Sequence, residues 1–211
     1  VLKIMMDGHN LTSSALVVDA YTYICLLQGC SMKKKKKKVK DDNNDDDYDA
    51  LDEGRIIHNH IIKIGLNCNV FLWTTIVNMY AKHECDMEDA MSVFCSMPIR
   101  NLASWNVIIS GYVKHGNANH ASHLMKDFMI PEGVMPDTTT IMTMVGACSV
   151  MRDLDGGRSL HSYLLYANFE LEVLLVNALI DMYAKCGILD DSEAMFEKML
   201  TQDTVSWNAM I

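Results

Sequence analysis

The chain has 211 residues, of which 50% are hydrophobic and 21% charged, with 18 Lys and Arg against 27 Asp and Glu. This apolar content excludes wholesale disorder, and no apolar run approaches the ~20 residues that span a bilayer. Seven cysteines without a CxxC pair do not form a secreted disulfide framework, so a reducing compartment is favoured.

The acidic balance argues against generic phosphate binding. From Val70 onward there are 8 basic and 17 acidic residues, so this part alone accounts for the net charge of −9. A surface that binds nucleic acid through phosphates alone is normally basic. The chain begins at Val1 and its pattern is still running at Ile211, which leads us to interpret it as a fragment of a longer protein.

The amino-terminal third predicts one interrupted unit. Residues 1–19 fit no pattern and stay unassigned, whereas AYTYICLLQGCS at 20–31 matches TTTIMTMVGACS at 138–149. The turn that follows the first of these segments is 15 residues longer than its counterpart, and it contains a Lys/Asp/Asn tract at about 32–50. We expect a solvated, disordered loop there. A nuclear-localisation or RNA-contact role of its lysines and a wrongly predicted gene segment are the alternatives.

The rest of the chain is a series of repeats. NMYAK at 78–82 recurs as DMYAK at 181–185, and SWN at 104–106 recurs at 206–208. Equivalent cuts give four complete units of 32, 36, 35 and 31 residues and the start of a fifth: 70–101, 102–137, 138–172, 173–203 and 204–211. Repetition at this spacing is typical of solenoids.

Each complete unit predicts two short amphipathic helices. In 173–203, Leu175, Leu179 and Tyr183 keep a helical spacing, and Cys186-Gly187 then ends the helix. Asp190 or Asp191 can open the second helix, and no segment alternates as a strand does. The sequence therefore predicts an all-α fold, an α-solenoid of stacked helical hairpins.

Three segments resemble the motifs of plant pentatricopeptide repeat proteins: SWNVIISGYVKHGNANHA at 104–121, TMVGACSVMRDLDGGRSLHSYLL at 143–165 and VNALIDMYAKCGILDD at 176–191. The tetratricopeptide pattern is absent. The resemblance implies a right-handed solenoid of the subclass that mixes motif types. Residues 20–69 and 138–172 resemble its long motif, 70–101 and 173–203 its short motif, and 102–137 its standard motif, with 204–211 starting a truncated repeat.

By this resemblance, the fifth and last positions of each repeat recognise one RNA base. The implied base-reading residues are Thr74, Asn101, Asn106, Asp137, Asn177, Asp203 and Asn208. The resemblance implies that two pairs, Asn106–Asp137 and Asn177–Asp203, prefer uridine first and cytidine second. The pair Thr74–Asn101 is the one that prefers adenosine. Met142 with Glu172 implies no particular base. The second position, which stacks on bases, is occupied by Phe71, Ala103, Leu174 and Val205.

Structural roles compete with these assignments. An Asn near a helix start is often only a cap, but its recurrence in phase favours RNA contact. Trp105 and Trp207 are expected to pack in the core, as are His58 and His161. No catalytic set, zinc site or deaminase signature is present in the sequence. We therefore interpret the chain as non-enzymatic and without a cofactor, although a deaminase domain could follow Ile211.

The resemblance implies sequence-specific binding of single-stranded RNA, one base per repeat, in a plant mitochondrion or chloroplast. Selection of RNA editing sites is the leading role, followed by RNA processing or stability. Editing or processing proteins are the implied protein partners, and no membrane or small-molecule partner is expected. The alternatives are a helical scaffold that binds protein, which the acidic surface favours, and a non-functional gene fragment.

Overall fold

The computed structural model describes residues 19–32, 50–66, 69–83, 87–199 and 202–209. Within these residues the chain forms helices and turns and no strand, which confirms the all-α prediction. The unassigned segment up to residue 18 and the body of the Lys/Asp/Asn tract, 33–49, lie outside the described residues. None of the described helices is long and apolar enough to cross a membrane.

The described residues form eleven α-helices. They are α1 Ala20–Met32, α2 Ala50–Ile64, α3 Val70–Lys82, α4 Met87–Ser96, α5 Leu102–Lys114, α6 Ala118–His123, α7 Thr138–Met151, α8 Leu154–Tyr166, α9 Val173–Lys185, α10 Leu189–Glu197 and α11 Thr204–Ala209. The odd-numbered helices are the first helices of the units, and the even-numbered ones are the second helices.

Most first helices begin directly after a polar capping residue. Asn69 accepts hydrogen bonds from the backbone of α3, and Asn101 and Asp137 form capping boxes with the third residues of α5 and α7. Such a cap satisfies backbone N–H groups that have no partner within the helix, and losing it costs about 1 kcal/mol. The carboxyl ends use glycine: Gly116 and Gly187 follow α5 and α9 with φ of 77° and 81°, a conformation that L side chains rarely adopt.

The helices stack in two rows. Each first helix packs against the next, from α1 through α3, α5, α7 and α9 to α11, while α2, α4, α6 and α8 each pack on their own first helix and on the one that follows. The fold is therefore an α-solenoid whose first helices form one continuous packed row. Exposed ion pairs also join second helices across unit boundaries, with Arg55 to Asp89 at 3.1 Å and Arg158 to Asp191 at 3.3 Å. Exposed pairs of this kind contribute ~0–1 kcal/mol each, so apolar stacking holds the rows together.

The second helix of unit 102–137 departs from a regular α-helix. Helix α6 continues as a π-helical turn over Leu124–Met129. This unit is one residue longer than the next, 138–172, and a π-helical turn accommodates an extra residue without ending the helix. Leu124, Met125 and Met129 remain buried in the core, so packing continues through the wider turn.

The tryptophans differ from each other although both were expected in the core. Trp105 is buried, 1% exposed, with its ring 4.7 Å from that of Phe94. Trp207 makes the same edge-to-face contact with Phe196, at 4.8 Å, but is 55% exposed. Among the described residues, the expected core position is therefore confirmed for Trp105 and wrong for Trp207.

The histidines expected to pack between helices do so. His58 and Tyr80 are hydrogen-bonded at 3.1 Å, and His161 and Tyr183 at 2.9 Å, each pair joining a second helix to the next first helix. Burial lowers the pKa of both imidazoles. The neutral form is therefore favoured in the folded chain.

Candidate nucleic-acid interface

Each first helix presents its second and fifth residues on one face, because positions three apart are neighbours on a helix surface. The second residues are exposed in every described unit from 70 onward: Phe71, Ala103, Thr139, Leu174 and Val205. Four of them are apolar, and the three larger ones are mostly in solvent, with Phe71 at 60%, Leu174 at 59% and Val205 at 56% exposed. Exposed apolar side chains recurring in phase along a solenoid form a ladder of flat contact surfaces.

The fifth residues lie beside this ladder and are less exposed. Asn106 is half-buried and Asn177 is buried, whereas Asn208 on α11 is exposed. The remaining two are Thr74 and Met142, both half-buried. The row thus contains amide, hydroxyl and thioether side chains. The amides and the hydroxyl present both hydrogen-bond donors and acceptors.

The residue that ends unit 102–137 is brought against the fifth residue of that unit. Asn106 Nδ2 donates to Asp137 Oδ1 at 3.1 Å, and Asp137 Oδ1 also accepts from the Thr140 backbone N–H at 2.9 Å. Asp137 therefore caps α7 and holds Asn106 at the same time. The Thr140 hydroxyl donates to Asn106 Oδ1 and lies 2.9 Å from Asp137 Oδ1.

Unit 173–203 repeats the pairing with one difference. Asn177 Nδ2 donates to Asp203 Oδ1 at 3.2 Å, and that oxygen also accepts from the Ser206 N–H at 2.7 Å and from the Ser206 hydroxyl at 2.8 Å. Asn177 Oδ1, however, is buried and has no hydrogen-bond partner among the described residues. A buried acceptor without a donor costs about 1–3 kcal/mol, so the two pairs differ energetically although their residues are identical.

The other two predicted pairs are not joined in this way. The Thr74 hydroxyl donates to the Val70 carbonyl at 2.8 Å, and Asn101 Oδ1 accepts from the Ser104 N–H at 2.9 Å. No hydrogen bond between Thr74 and Asn101 is present in the described part of the chain. Glu172 precedes α9 without a side-chain capping bond, and no hydrogen bond joins Met142 to Glu172 in the described ranges.

Both paired carboxylates are held ionised. Burial by itself would raise the pKa of Asp137, but hydrogen bonds from the Thr140 N–H, the Thr140 hydroxyl and Asn106 together lower it. The pKa of Asp203 is lowered first by the Ser206 N–H and then by the Ser206 hydroxyl, with a contribution from Asn177. At neutral pH each carboxylate therefore offers only acceptors.

A row of lysines on the first helices did not enter the sequence prediction. Lys82, Lys114 and Lys185 occupy the thirteenth residue of their units, in the last turns of α3, α5 and α9, and all three are exposed. Val150 takes this place in α7 and is 82% exposed. Eight residues separate each lysine from its fifth position, ~12 Å along the axis and ~80° around it. Recurrence at one repeat position was the signal that could have identified them.

The histidines and cysteines of the described residues do not assemble into a site. No group of three or more His, Cys, Asp or Glu that could hold a metal occurs in the described ranges. Cys30 and Cys148 occupy the same position of their units, and both are buried. Burial raises the pKa of the Cys148 thiol to about 11, so this side chain is a packing thiol at neutral pH.

Comparisons with known proteins identify the repeats. A family model described as the PPR repeat matches residues 71–102, 103–129 and 175–203. A chloroplastic pentatricopeptide repeat-containing protein of Arabidopsis thaliana is 33% identical over 210 residues, covering 100% of this chain and 31% of the relative. A mitochondrial one from the same plant is 36% identical over 159 residues, covering 75% of this chain and 23% of the relative.

The solved structures agree on the fold. The crystal structure of the maize pentatricopeptide repeat protein PPR10 superposes with a TM-score of 0.68 at 16% identity, over 99% of this chain and 27% of PPR10. The structure of PPR10 in complex with an 18-nt psaJ RNA element gives a TM-score of 0.62 at 17% identity, over the same shares of both chains. The chain thus spans less than a third of these relatives. With the helical hairpins and the sequence matches together, residues 71–102, 103–129 and 175–203 of this chain are pentatricopeptide repeats.

Proposed function

We propose that the chain binds single-stranded RNA sequence-specifically, with each repeat recognising one base. The observation that carries the proposal is the recurrence of an Asn–Asp pair at the junction of consecutive units. Asn106 with Asp137 and Asn177 with Asp203 each place an oriented amide beside an ionised carboxylate. Amide and carboxylate groups fixed at a constant step suit base edges that are splayed out along a strand.

The neighbouring rows support the same function. The exposed second residues give each base a surface to stack on, which is typically worth about 1–3 kcal/mol per base for aromatic side chains. Phe71 fits this role better than Ala103, whose side chain has little surface. Lys82, Lys114 and Lys185 place positive charge along the same helix row, where phosphates of a bound strand would pass.

The finer role is also a proposal. Chloroplastic and mitochondrial relatives support an organellar location, and the unequal unit lengths support the subclass of mixed long, short and standard motifs. We infer a role in selecting RNA editing sites, or in RNA processing or stability, with editing or processing proteins as partners. The chain itself acts as a binding module, and any catalysis belongs to another domain or protein.

The test is a change of base preference. In the order adenosine, pyrimidine, unread base, pyrimidine from Val70 onward, read 5′ to 3′, Asn177 faces the fourth base. Asn177→Thr, with Asp203 kept, creates the pairing that the family associates with guanosine. We expect preference to move at the fourth base only, measured by competition binding with RNAs that differ at one base. Unchanged preference in a folded variant of a binding-competent parent would contradict the role of Asn177.

The acidic charge favours a second candidate, a scaffold that binds protein. Residues 70–211 carry eight basic and 17 acidic residues, which repels a polyanion and attracts a basic partner. The same competition assay separates the two functions. Contacts between basic side chains and phosphates are strongest at low salt. A parent chain that binds no RNA under that condition would leave the scaffold as the better explanation.

A further inference from the structure

The two Asn–Asp pairs have the same residues but different hydrogen-bond states. In the pair of unit 102–137, the Thr140 hydroxyl donates to Asn106 Oδ1. That hydroxyl also lies 2.9 Å from Asp137 Oδ1. In the pair of unit 173–203, Ser206 stands at the place of Thr140, and its hydroxyl donates to Asp203 Oδ1 at 2.8 Å but makes no hydrogen bond to Asn177 Oδ1 among the described residues. Thr140 and Ser206 are each the third residue of the following unit. That residue therefore decides whether the amide oxygen of the preceding Asn has a donor.

The amide orientation is fixed in both pairs. Asn106 Nδ2 and Asn177 Nδ2 each donate to a carboxylate oxygen, at 3.1 and 3.2 Å. Rotating either amide by half a turn would place its oxygen against that ionised oxygen, which is repulsive. Among the described residues, Asn177 Oδ1 consequently stays an acceptor with no donor, on a side chain that is only 5% exposed.

The two pyrimidines differ at the atom that such an acceptor would meet. Uridine carries a hydrogen on N3, whereas cytidine has a lone pair there, and both carry an acceptor at O2. An Asn amide N–H that donates to O2 accepts either base, and an amide oxygen that accepts from N3 discriminates in favour of uridine. Proteins recognise unstacked bases through these Watson–Crick edges.

We propose that Thr140 sets the base tolerance of the preceding repeat: Asn106, whose amide oxygen is occupied by Thr140, accepts uridine and cytidine alike, whereas Asn177, whose oxygen is vacant, selects uridine. The inference rests on the proposed RNA binding and deepens it. The N3–H of uridine would give Asn177 Oδ1 its missing donor. At Asn106, the N3–H would compete with the Thr140 hydroxyl for the amide oxygen. Thr140 acts through Asn106 and is a positioning residue.

The parent chain provides the first measurement. Competition binding of the 211-residue chain at low salt uses RNAs with uridine or cytidine at the second or the fourth base. We expect the uridine-to-cytidine affinity ratio to be about fivefold larger at the fourth base than at the second, the size of one net hydrogen bond. Equal ratios at the two bases, with binding intact, would overturn the proposal without touching RNA binding itself.

The variant Thr140→Val removes the hydroxyl and keeps the shape. It frees Asn106 Oδ1, so the ratio at the second base should rise about fivefold while the ratio at the fourth base stays constant. Thr143→Val is the matched control in the same helix, because the Thr143 hydroxyl donates only to the Thr139 carbonyl, at 2.8 Å. A ratio at the second base that is the same in Thr140→Val and Thr143→Val would overturn the proposal. A parent that binds no RNA would overturn the proposed function and this inference together.

Discussion

At the scale of single residues, Trp105 and Trp207 make the same ring contact but differ in how much of the indole is buried. Both follow a serine in the SWN motif, and both place their ring edge-to-face on a phenylalanine, Phe94 and Phe196, at nearly the same distance. They differ in what covers the other side of the indole. Trp105 is among the largest fully buried side chains of the described residues. The energetic weight of this motif therefore depends on how completely the surrounding residues bury the indole.

We predict that Trp105→Ala destabilises the chain by ~3–5 kcal/mol, since it removes a large buried side chain and leaves a cavity. Urea unfolding followed by circular dichroism measures the change. Trp207→Ala is the matched control at the equivalent repeat position and should cost far less, because half of that ring is already in water. Equal losses in the two variants would show that the ring contact, not the burial, matters.

At the scale of elements, glycine occurs in two different environments, on the exposed side of α7 and at the packed side of α8. Gly146 lies on the exposed side of α7, and a Cβ there would meet nothing within 4 Å. Gly157 lies in α8, where a Cβ would overlap the thioether of Met182, a buried residue of α9. A Cβ at Gly54 would likewise lie 2.6 Å from Met79 Sδ. At 54 and 157 a side chain therefore fits only if the facing methionine shifts.

Gly146→Ala should stabilise the chain by ~0.5–1 kcal/mol, because alanine loses less conformational entropy in a helix. Gly157→Ala should destabilise it, because the overlap with Met182 costs ~1–3 kcal/mol and outweighs the same helix gain. Thermal melts of the two variants measure whether each substitution raises or lowers the melting temperature. Stabilisation by both substitutions would mean that α8 and α9 can move apart freely.

The junction between a second helix and the next first helix contains a titrating pair. Burial lowers the pKa of His58 and His161 below 6.5, partly opposed by Asp89 and Asp191 respectively. A base whose folded pKa lies below its unfolded value stabilises the fold in its neutral form. This contribution is complete above pH 6.5 and is lost as the pH falls from there toward the folded pKa.

We expect the melting temperature of the parent to fall between pH 7.5 and pH 5, and this fall to be smaller in the double variant His58→Gln/His161→Gln. His123→Gln is the control, since His123 is an exposed histidine that lies 2.7 Å from Asp127 on its own helix turn and not in a junction between units. The control should not reduce the loss. A double variant with the same pH dependence as the parent would place the titration elsewhere.

At the scale of the whole molecule, the sign of the net charge differs from the sign of the charge on the first-helix row. The net charge is −9, yet Lys82, Lys114 and Lys185 recur on the first-helix row at one repeat position. Lysine in the last turn also complements the helix dipole, which is a purely structural reason for its presence there. The two explanations predict different salt behaviour.

Replacing the three lysines of the first-helix row by Ala should weaken RNA binding for all sequences alike and make the slope of log affinity against log salt shallower by ~2, about 0.7 for each lost phosphate contact. The control removes the same charge from the second helices or the turns that directly continue them: Lys126→Ala/Arg158→Ala/Lys198→Ala. Its slope should change little. Equal changes in both triple variants would assign the effect to net charge rather than to the row.

The sequence by itself determined the repeat architecture. Helical periodicity, recurrent motifs and polar residues at unit ends predicted two-helix units, and the described helices form such a stack. Periodicity is a local property, and each hairpin buries its apolar face only against its neighbours. The residue types at positions two, five and last could likewise be named from the repeat phase, and their role in RNA recognition stays a prediction.

Only the tertiary structure decided what those side chains contact. Two pairs with the same residue types, Asn106 with Asp137 and Asn177 with Asp203, differ because the hydroxyl of the third residue of the next unit reaches the amide oxygen in the first pair. In the second pair, Asn177 Oδ1 has no such donor among the described residues. Trp207 shares a motif with Trp105 but not its burial. Hydrogen-bond choice and burial depend on atoms contributed by neighbouring units, so they follow from how the units stack and not from the pattern within one unit.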